Sequence, residues 1–193
     1  MRSLEGRTAL VTGGGAPFGR AVALALSARG VRIVVTGRDE KALGETVGEI
    51  VHGGGKARHV AGEGRASSVL GTAVERAKEV FGALDIVIDT ELTDVEYTFD
   101  ATVPHVRSPG RLLFVTSASS EERSQEAMAL VVRERARALL SKGITCNAIV
   151  VANLAAGDDG DDVAADVGEL AVFLCSRAAE RITGQSIALE AGA

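Results

Sequence analysis

The chain has 193 residues, of which 46% are hydrophobic and only 3% aromatic. This predicts a single domain whose core is built mainly from Ala, Val, Leu and Ile. The formal net charge of −5 and the lack of a long Lys/Arg block argue against a nucleic-acid partner. No apolar run approaches the roughly 18 residues of a membrane span, so no membrane partner is expected.

Metal and disulfide chemistry find little support in the sequence. The two cysteines and three histidines are scattered without ligand-like spacing, and Met1 to Gly6 lacks the apolar region of a signal peptide. These features indicate a reduced, cytoplasmic protein. The acidic run Asp158 to Asp162 lacks the spacing and the distal Glu of a calcium loop. We interpret it as a solvated loop and predict no metal site.

The first half of the chain alternates short β-branched strands with amphipathic helices. The predicted strands are Thr8 to Thr12, Val31 to Thr36, Ala57 to Ala61 and Leu84 to Ile88. The predicted helices are Phe18 to Ala28, a helix capped by Asp39 that runs through Val51, and about Ser67 to Phe81.

The second half keeps this alternation in a compressed form. Asp94 to Val106 holds only a short, irregular helix that Pro104 disturbs. The further strands are Arg111 to Thr116, Ile144 to Val150 and Gln185 to Glu190, and the helices are Glu121 to Ser141 and Val163 to Arg177. The pattern predicts a Rossmann-like, doubly wound, mostly parallel seven-stranded α/β sheet with helices on both faces. Ligands are then expected beyond the carboxyl ends of the strands.

A glycine-rich turn joins the first strand to the first helix, with the sequence Thr12-Gly13-Gly14-Gly15-Ala16-Pro17-Phe18-Gly19. Glycine permits a positive φ and a close approach of phosphate. The free N–H groups at a helix start favour an anion. Pro17 lies inside this predicted turn and has no N–H to donate. The stretch therefore predicts a nucleotide site that contains one unfavourable residue.

Four stretches occur in the order that is typical of the short-chain dehydrogenase/reductase (SDR) family, and the chain resembles that family over nearly its whole length. They are the glycine-rich turn, Phe81 to Val87, Gly143 to Ala148 and Ile182 to Gln185. The resemblance implies one Rossmann-like domain over residues 1–193. The family's segment between the fourth and fifth strands is shortened here. The insertion that covers the substrate after the sixth strand is shortened as well, so we expect no substrate lid.

The resemblance also implies an NADP site. The family's dinucleotide-binding turn corresponds to Thr12, Gly13, Gly15, Phe18 and Gly19. Arg38 follows the second strand, where NADP-preferring members carry a basic residue for the 2′-phosphate. A solvated surface arginine is the alternative interpretation of Arg38. Glu63 occupies the place of the family's adenine-contacting Asp.

Departures from the family pattern lead us to expect weak or absent NADP binding. Pro17 replaces the middle glycine of the turn. Asp89-Thr90-Glu91-Leu92 replaces the family's Asn-Asn-Ala-Gly, which puts two carboxylates and a leucine near the ribose and phosphates.

The family's catalytic residues are Ser, Tyr and Lys, and only the first is present, as Ser117. The Tyr and Lys positions fall on Glu121 and Gln125, and the single tyrosine of the chain is Tyr97. An ionised Glu is a poor proton donor, and a neutral Gln cannot lower the pKa of a neighbour by charge. Ser117 is therefore a remnant of the family's site.

Two hypotheses remain. The leading one is a non-catalytic SDR-like protein that acts through a protein partner, either an active SDR relative or a second copy in a homo-oligomer. The alternative is an NADP-dependent carbonyl reductase or alcohol dehydrogenase that uses an unorthodox proton donor such as Tyr97.

Overall fold

The computed structural model describes residues 4–62, 67–92, 95–118, 122–154 and 161–191, where seven strands alternate with six α-helices. The strands are β1 (Thr8–Val11), β2 (Arg32–Gly37), β3 (Ala57–Ala61), β4 (Leu84–Asp89), β5 (Val106–Ala118), β6 (Ile144–Ala152) and β7 (Ser186–Glu190). The helices are α1 (Pro17–Ser27), α2 (Glu40–His52), α3 (Ser67–Phe81), α4 (Val95–Thr102), α5 (Glu122–Leu139) and α6 (Asp161–Cys175). None of the helices in these ranges is long and apolar enough to cross a membrane.

The strands form one sheet in the order β3-β2-β1-β4-β5-β6-β7, and every neighbouring pair is parallel. The chain winds outward from β1 to β3 and then outward again from β4 to β7, which confirms the predicted doubly wound, seven-stranded Rossmann-like fold. The direction of winding reverses between β1 and β4. In such sheets, ligands bind at this switch point, beyond the carboxyl ends of the strands.

Each face of the sheet carries its own hydrophobic core. The first core lies under α1, α2 and α6 and includes Val22, Leu43 and Val167. The second core lies under α3, α4 and α5 and includes Val74 and Val132. Strands β1, β4 and β6 are buried at every position because both of their faces are covered.

Strand β5 begins five residues earlier than predicted, at Val106 instead of Arg111. Val106 pairs with Leu84, and the register then shifts so that Ile86 pairs with Arg111. The residues between them bulge out of the ladder, and Pro109 lies in this bulge, where its missing N–H breaks no regular pairing. The predicted disturbance at Pro104 is confirmed, since α4 ends at Thr102 and Pro104 lies in a short 3₁₀ turn.

Helices α1 and α6 pack closely because α6 presents a glycine at their contact. A Cβ on Gly168 would lie 3.0 Å from the carbonyl oxygen of Ala21 and 3.1 Å from Cβ of Ala25. The backbone of α1 cannot move away without disturbing the first core, so the separation of the two helices depends on this residue.

We predict that Gly168→Ala lowers the free energy of unfolding by about 1–3 kcal/mol, because the added methyl group overpacks the contact. The matched control is Gly48→Ala in α2, where a Cβ would have no neighbour within 4 Å. That change should raise stability by about 0.5–1 kcal/mol through helix propensity. Urea denaturation of both variants measures the difference. Equal stabilisation by the two substitutions would contradict the close α1–α6 contact.

Candidate dinucleotide site

The glycine-rich turn leaves the sheet at the end of β1, as the sequence predicts. Gly13 has φ +63°, and a Cβ on Gly19 would lie 2.2 Å from the carbonyl oxygen of Gly13. Both positions therefore require glycine. The amide of Gly14 donates to the carbonyl of Thr36 at 2.9 Å, which ties the turn to the end of β2. Gly15 lies against α2, where a Cβ would come 2.9 Å from that of Ala42.

Pro17 is the first residue of α1, which corrects the expectation that it lies inside the turn. Proline suits this position, because its φ is helical and an N–H there would have no intrahelical partner. The first helical hydrogen bond runs from the amide of Arg20 to the carbonyl of Ala16, at 2.8 Å. The amides of Phe18 and Gly19 precede it and so remain as the donors at the helix start. Pro17 removes one anion-binding donor but leaves these two.

The carboxylate of Asp89, at the end of β4, is the centre of a buried hydrogen-bond network. Asp89 is only 2% exposed. Its Oδ1 accepts from the hydroxyl of Thr12 at 2.7 Å and from the amides of Glu91 and Leu92 at 3.1 and 3.2 Å. Its Oδ2 accepts from the hydroxyl of Thr98 at 2.7 Å. We expected Asp89 to present its charge to the ribose and phosphates, but its oxygens are used within the protein.

Leu92 has a backbone conformation that favours glycine. It has φ +45°, in the left-handed region, and replaces the glycine that the family carries there. Its side chain packs against the second core. The crowding of a ribose by Leu92 stays an expectation. The substitution costs about 1 kcal/mol of backbone strain, which the apolar packing offsets.

The carboxylate that does lie at the site belongs to Glu91. Its Cγ is 3.2 Å from the position that a Cβ on Gly13 would take, so the side chain lies over the turn. Burial and the neighbouring Asp89 raise the pKa of Glu91, and the nearby Arg38 lowers it. Arg38 is exposed just beyond β2. Glu91 thus places negative charge between the turn and the arginine predicted to bind a 2′-phosphate.

A small cavity lies beyond these strand ends, between residues that the structure describes. The cavity lined by Thr12, Gly37, Gly62, Asp89 and Glu91, among others, has a volume of about 10 Å³. That is room for about one water molecule. An adenosine group would have to lie over the turn or displace side chains.

Ser117 and Tyr97 belong to opposite faces of the sheet. Ser117 is exposed near the end of β5. Alternate residues of a strand point to the same face, so Ser117 shares the face of Leu113 and Val115, which belong to the first core. Tyr97 packs against the second core from α4, and burial raises the pKa of its hydroxyl. The structure therefore brings together Thr12, Gly13, Gly15, Phe18, Gly19 and Arg38 at the predicted edge, and it places Ser117 and Tyr97 on different faces of the sheet.

Three of the predicted positions cannot be compared with the structure. Glu63 and Glu121 lie outside the described residues, and so does the side chain of Gln125. Conversely, sequence reasoning missed Thr98, the buried partner of Asp89. It lies in the irregular α4 segment, where no motif marks it. A threonine one helical turn before the buried Thr102 was the available signal.

Comparison with known proteins agrees with this architecture. The family model described as short chain dehydrogenase matches residues 7–90. The curated ketoacyl reductase HetN of Nostoc is 29% identical over 99 residues, which cover 51% of this chain and 34% of that protein. The 7alpha-hydroxysteroid dehydrogenase of Clostridium sardiniense is 33% identical over 89 residues, which cover 46% and 34%.

Two solved structures share the fold along the whole chain. A dehydrogenase/reductase from Sinorhizobium meliloti superimposes with a TM-score of 0.85 at 22% identity, covering 99% of this chain and 97% of that one. A short chain dehydrogenase from Burkholderia cenocepacia in complex with NADP has a TM-score of 0.83 at 21% identity, covering 97% and 98%.

Over residues 7–90 the chain is similar to the short-chain dehydrogenases, and along its whole length it shares the fold of the two solved structures. Its alignment spans only about a third of the length of these curated relatives. The family-model match ends at Thr90, within the stretch Asp89 to Leu92 that departs from the family pattern.

We predict that Asp89→Ala lowers the free energy of unfolding by about 3 kcal/mol or more, because it leaves two buried hydroxyls and two amides without their acceptor. Asp89→Asn should cost only about 1 kcal/mol, since a threonine hydroxyl can rotate to accept from the new amide. Chemical denaturation is the measurement. The control is Asp100→Ala, which changes an exposed residue of α4 and should alter the free energy of unfolding by less than about 0.5 kcal/mol.

We predict that Glu91→Gln stabilises the protein at neutral pH. Because the pKa of Glu91 in the folded protein lies above its ordinary value of 4.5, protonated Glu91 contributes stability that is fully present below about pH 4.5 and is lost as pH rises through the folded pKa. Glutamine does not ionise, so the variant should be more stable than the wild type above the folded pKa of Glu91. Below about pH 4.5 the two proteins should be equally stable. Melting temperatures across pH measure this. A difference in melting temperature that is the same at all pH values would contradict the prediction. The control is Glu79→Gln, an exposed residue on α3.

Proposed function

We propose that this chain is a non-catalytic member of the SDR family that acts through a protein partner and binds NADP(H) weakly. The observation that carries the proposal is the sequence at the family's Tyr and Lys positions, which are Glu121 and Gln125. The only tyrosine in the sequence packs on the face of the sheet opposite Ser117, and no lysine occurs between Lys78 and Lys142. Ser117 can orient a carbonyl oxygen, but a positioned proton donor is also required for its reduction.

Weak cofactor binding is supported by a balance of groups at the glycine-rich turn. The amides of Phe18 and Gly19 favour a pyrophosphate at the start of α1, and the exposed Arg38 suits a 2′-phosphate. Glu91 opposes both through its negative charge, and Pro17 supplies no donor. A bound nicotinamide supplies or accepts a hydride. We assign no residue of this chain to the proton transfer that accompanies the hydride transfer.

A protein partner is supported by the exposed apolar surface of α5. Leu130 is 58% exposed there, beside the exposed Arg133 and Glu134. An apolar side chain with a charged rim is typical of a contact surface. We propose an active SDR relative or a second copy of this chain as the partner, and a cytoplasmic location.

The test combines a binding titration with a turnover assay. NADPH and NADH are titrated by fluorescence into the wild type, Glu91→Gln and Arg38→Glu. We expect weak NADPH binding that Glu91→Gln strengthens about fivefold by removing a repulsive charge. Arg38→Glu should weaken NADPH more than NADH. A panel of carbonyl substrates should give no turnover with either cofactor.

Specific outcomes contradict each part. The absence of NADPH and NADH binding in every variant would exclude the cofactor site. Turnover that disappears in Ser117→Ala or Tyr97→Phe would instead establish the alternative, an NADP-dependent oxidoreductase with Tyr97 as donor. A wild-type protein that remains monomeric and does not bind active SDR relatives would exclude the proposed partners, and Leu130→Ser is the matched variant for any complex observed.

A further inference from the structure

A large cavity among the described residues lies at the amino-terminal edge of the sheet, opposite the glycine-rich turn. It has a volume of about 1470 Å³. Arg7 lines it just before β1, Gly143 just before β6, and Ser176 just after α6. Neither the family's dinucleotide site nor Ser117 is part of it.

The cavity is strongly basic in an acidic protein. Five guanidiniums and two carboxylates line it, an excess of three positive charges in a chain of net charge −5. These are Arg7, Arg29, Arg111, Arg177 and Arg181, with Glu169 and Glu180. Each carboxylate lies within ion-pair distance of one exposed arginine, at 2.8 and 3.7 Å. Within the described part of the chain, Arg7, Arg111 and Arg181 have no such ion pair.

Two of these arginines have unused donors, and each feels the charge of the other. Arg111 is only 4% exposed, and its two terminal nitrogens donate to the carbonyls of Gly110 and Ser176 at 2.8 and 3.3 Å. Its Nε and the Nη1 of Arg7 are buried without a hydrogen-bond partner among the described residues. A buried donor without an acceptor is costly, and two like charges that repel each other add to that cost.

The neighbouring groups supply only part of the counter-charge. Burial raises the pKa of the Cys175 thiol to about 12, so this residue is neutral beside Arg111. Burial and, after it, Arg7 lower the pKa of Arg111, and the opposing effect of Glu180 is smaller. Glu180 is exposed and is within ion-pair distance of Arg177. The arrangement is one that an entering anion would stabilise.

The same cavity also has an apolar wall. Leu140 is 63% exposed and Phe173 is 42% exposed, and both line it together with Val172 and Ile144. Exposed large apolar side chains beside unpaired cations favour a ligand that has a charged head and an apolar body.

We propose that this cavity binds a small organic anion, with its carboxylate or phosphate at Arg7 and Arg111 and its apolar part against Leu140 and Phe173. Guanidiniums pair with either head group through two parallel hydrogen bonds. Arg181, exposed on the rim, attracts the anion to the opening. This site is independent of the dinucleotide site and of the function proposed above.

The test is calorimetric titration of the whole protein with four probes: inorganic phosphate, hexyl phosphate, hexanoate and hexanol. We expect hexanol not to bind and at least one of the two hexyl anions to bind more tightly than inorganic phosphate. The relative affinity of hexyl phosphate and hexanoate identifies the preferred head group. Arg7→Met and Arg181→Gln should each weaken binding, the former by about tenfold. Phe173→Ser should weaken binding of the hexyl anions but not of phosphate.

Two controls locate the binding. Arg76→Gln, an exposed arginine on α3, should have no effect. Arg38→Gln should also have none, and loss of binding in that variant would place the anion at the dinucleotide site and overturn the proposal. Failure of all four probes to bind the wild type would overturn it as well.

The stability of the ligand-free variants separates a binding role from a structural one. Because Arg7 makes no hydrogen bond through its Nη1, Arg7→Met should leave the melting temperature unchanged or raise it. A lowered melting temperature together with unchanged anion binding would show that Arg7 is a structural residue. Arg181→Gln leaves the buried pair intact, so weaker binding in this variant supports the site regardless of how Arg7→Met folds.

Discussion

The candidate dinucleotide site depends on one buried carboxylate, that of Asp89. It connects the end of β1, through the hydroxyl of Thr12, with α4, through the hydroxyl of Thr98. The chain after Asp89 is fixed by the same group, because the amides of Glu91 and Leu92 donate to it. Thr90 adds a hydrogen bond from its hydroxyl to the carbonyl of Thr12, at 2.8 Å. Residues at the end of β4 therefore hold Thr12 in place, and with it the start of the glycine-rich turn.

The same network explains how negative charge is distributed at this edge. An ionised Asp89 is offset by four hydrogen bonds and presents little charge outward. By accepting from the amide of Glu91, it also fixes the backbone from which that side chain extends over the turn. Glu91 is only partly compensated by Arg38, and it lies where the family approaches a polyanion. A cofactor would have to compete with this carboxylate for Arg38, so the affinity depends more on Glu91 than on the loss of one amide at Pro17.

The sequence is sufficient for the fold because each element is encoded locally. Buried β-branched runs separated by amphipathic helices predict the doubly wound parallel sheet, and Asp39 caps α2 as expected, accepting from the amide of Ala42. The errors arise where a local signal has two meanings. Pro109-Gly110 resembles the boundary of a strand but lies in a bulge of β5, and Pro17 resembles a flaw in the turn but begins α1. Contacts such as Asp89 with Thr98 depend on how α4 packs, which no periodicity specifies. The arginine cavity could not be predicted from local patterns either, because Arg7, Arg111 and Arg181 are far apart in the chain.

The two ends of the sheet carry charge in the reverse of the usual arrangement. In a parallel α/β sheet, helix N-termini make the carboxyl edge of the strands attractive to anions, yet here Glu91 lies at that edge. At the opposite edge α6 ends beside Arg111, which donates to the carbonyl of Ser176. The partial negative charge of a helix C-terminus stabilises a cation there, so Arg111 can remain buried in the free protein. A helix end and two carbonyls supply only partial charges, however, whereas Arg7 and Arg111 carry two full ones. The positive charge that remains at Arg7 and Arg111 is the physical reason for the proposal that a small anion binds at this edge.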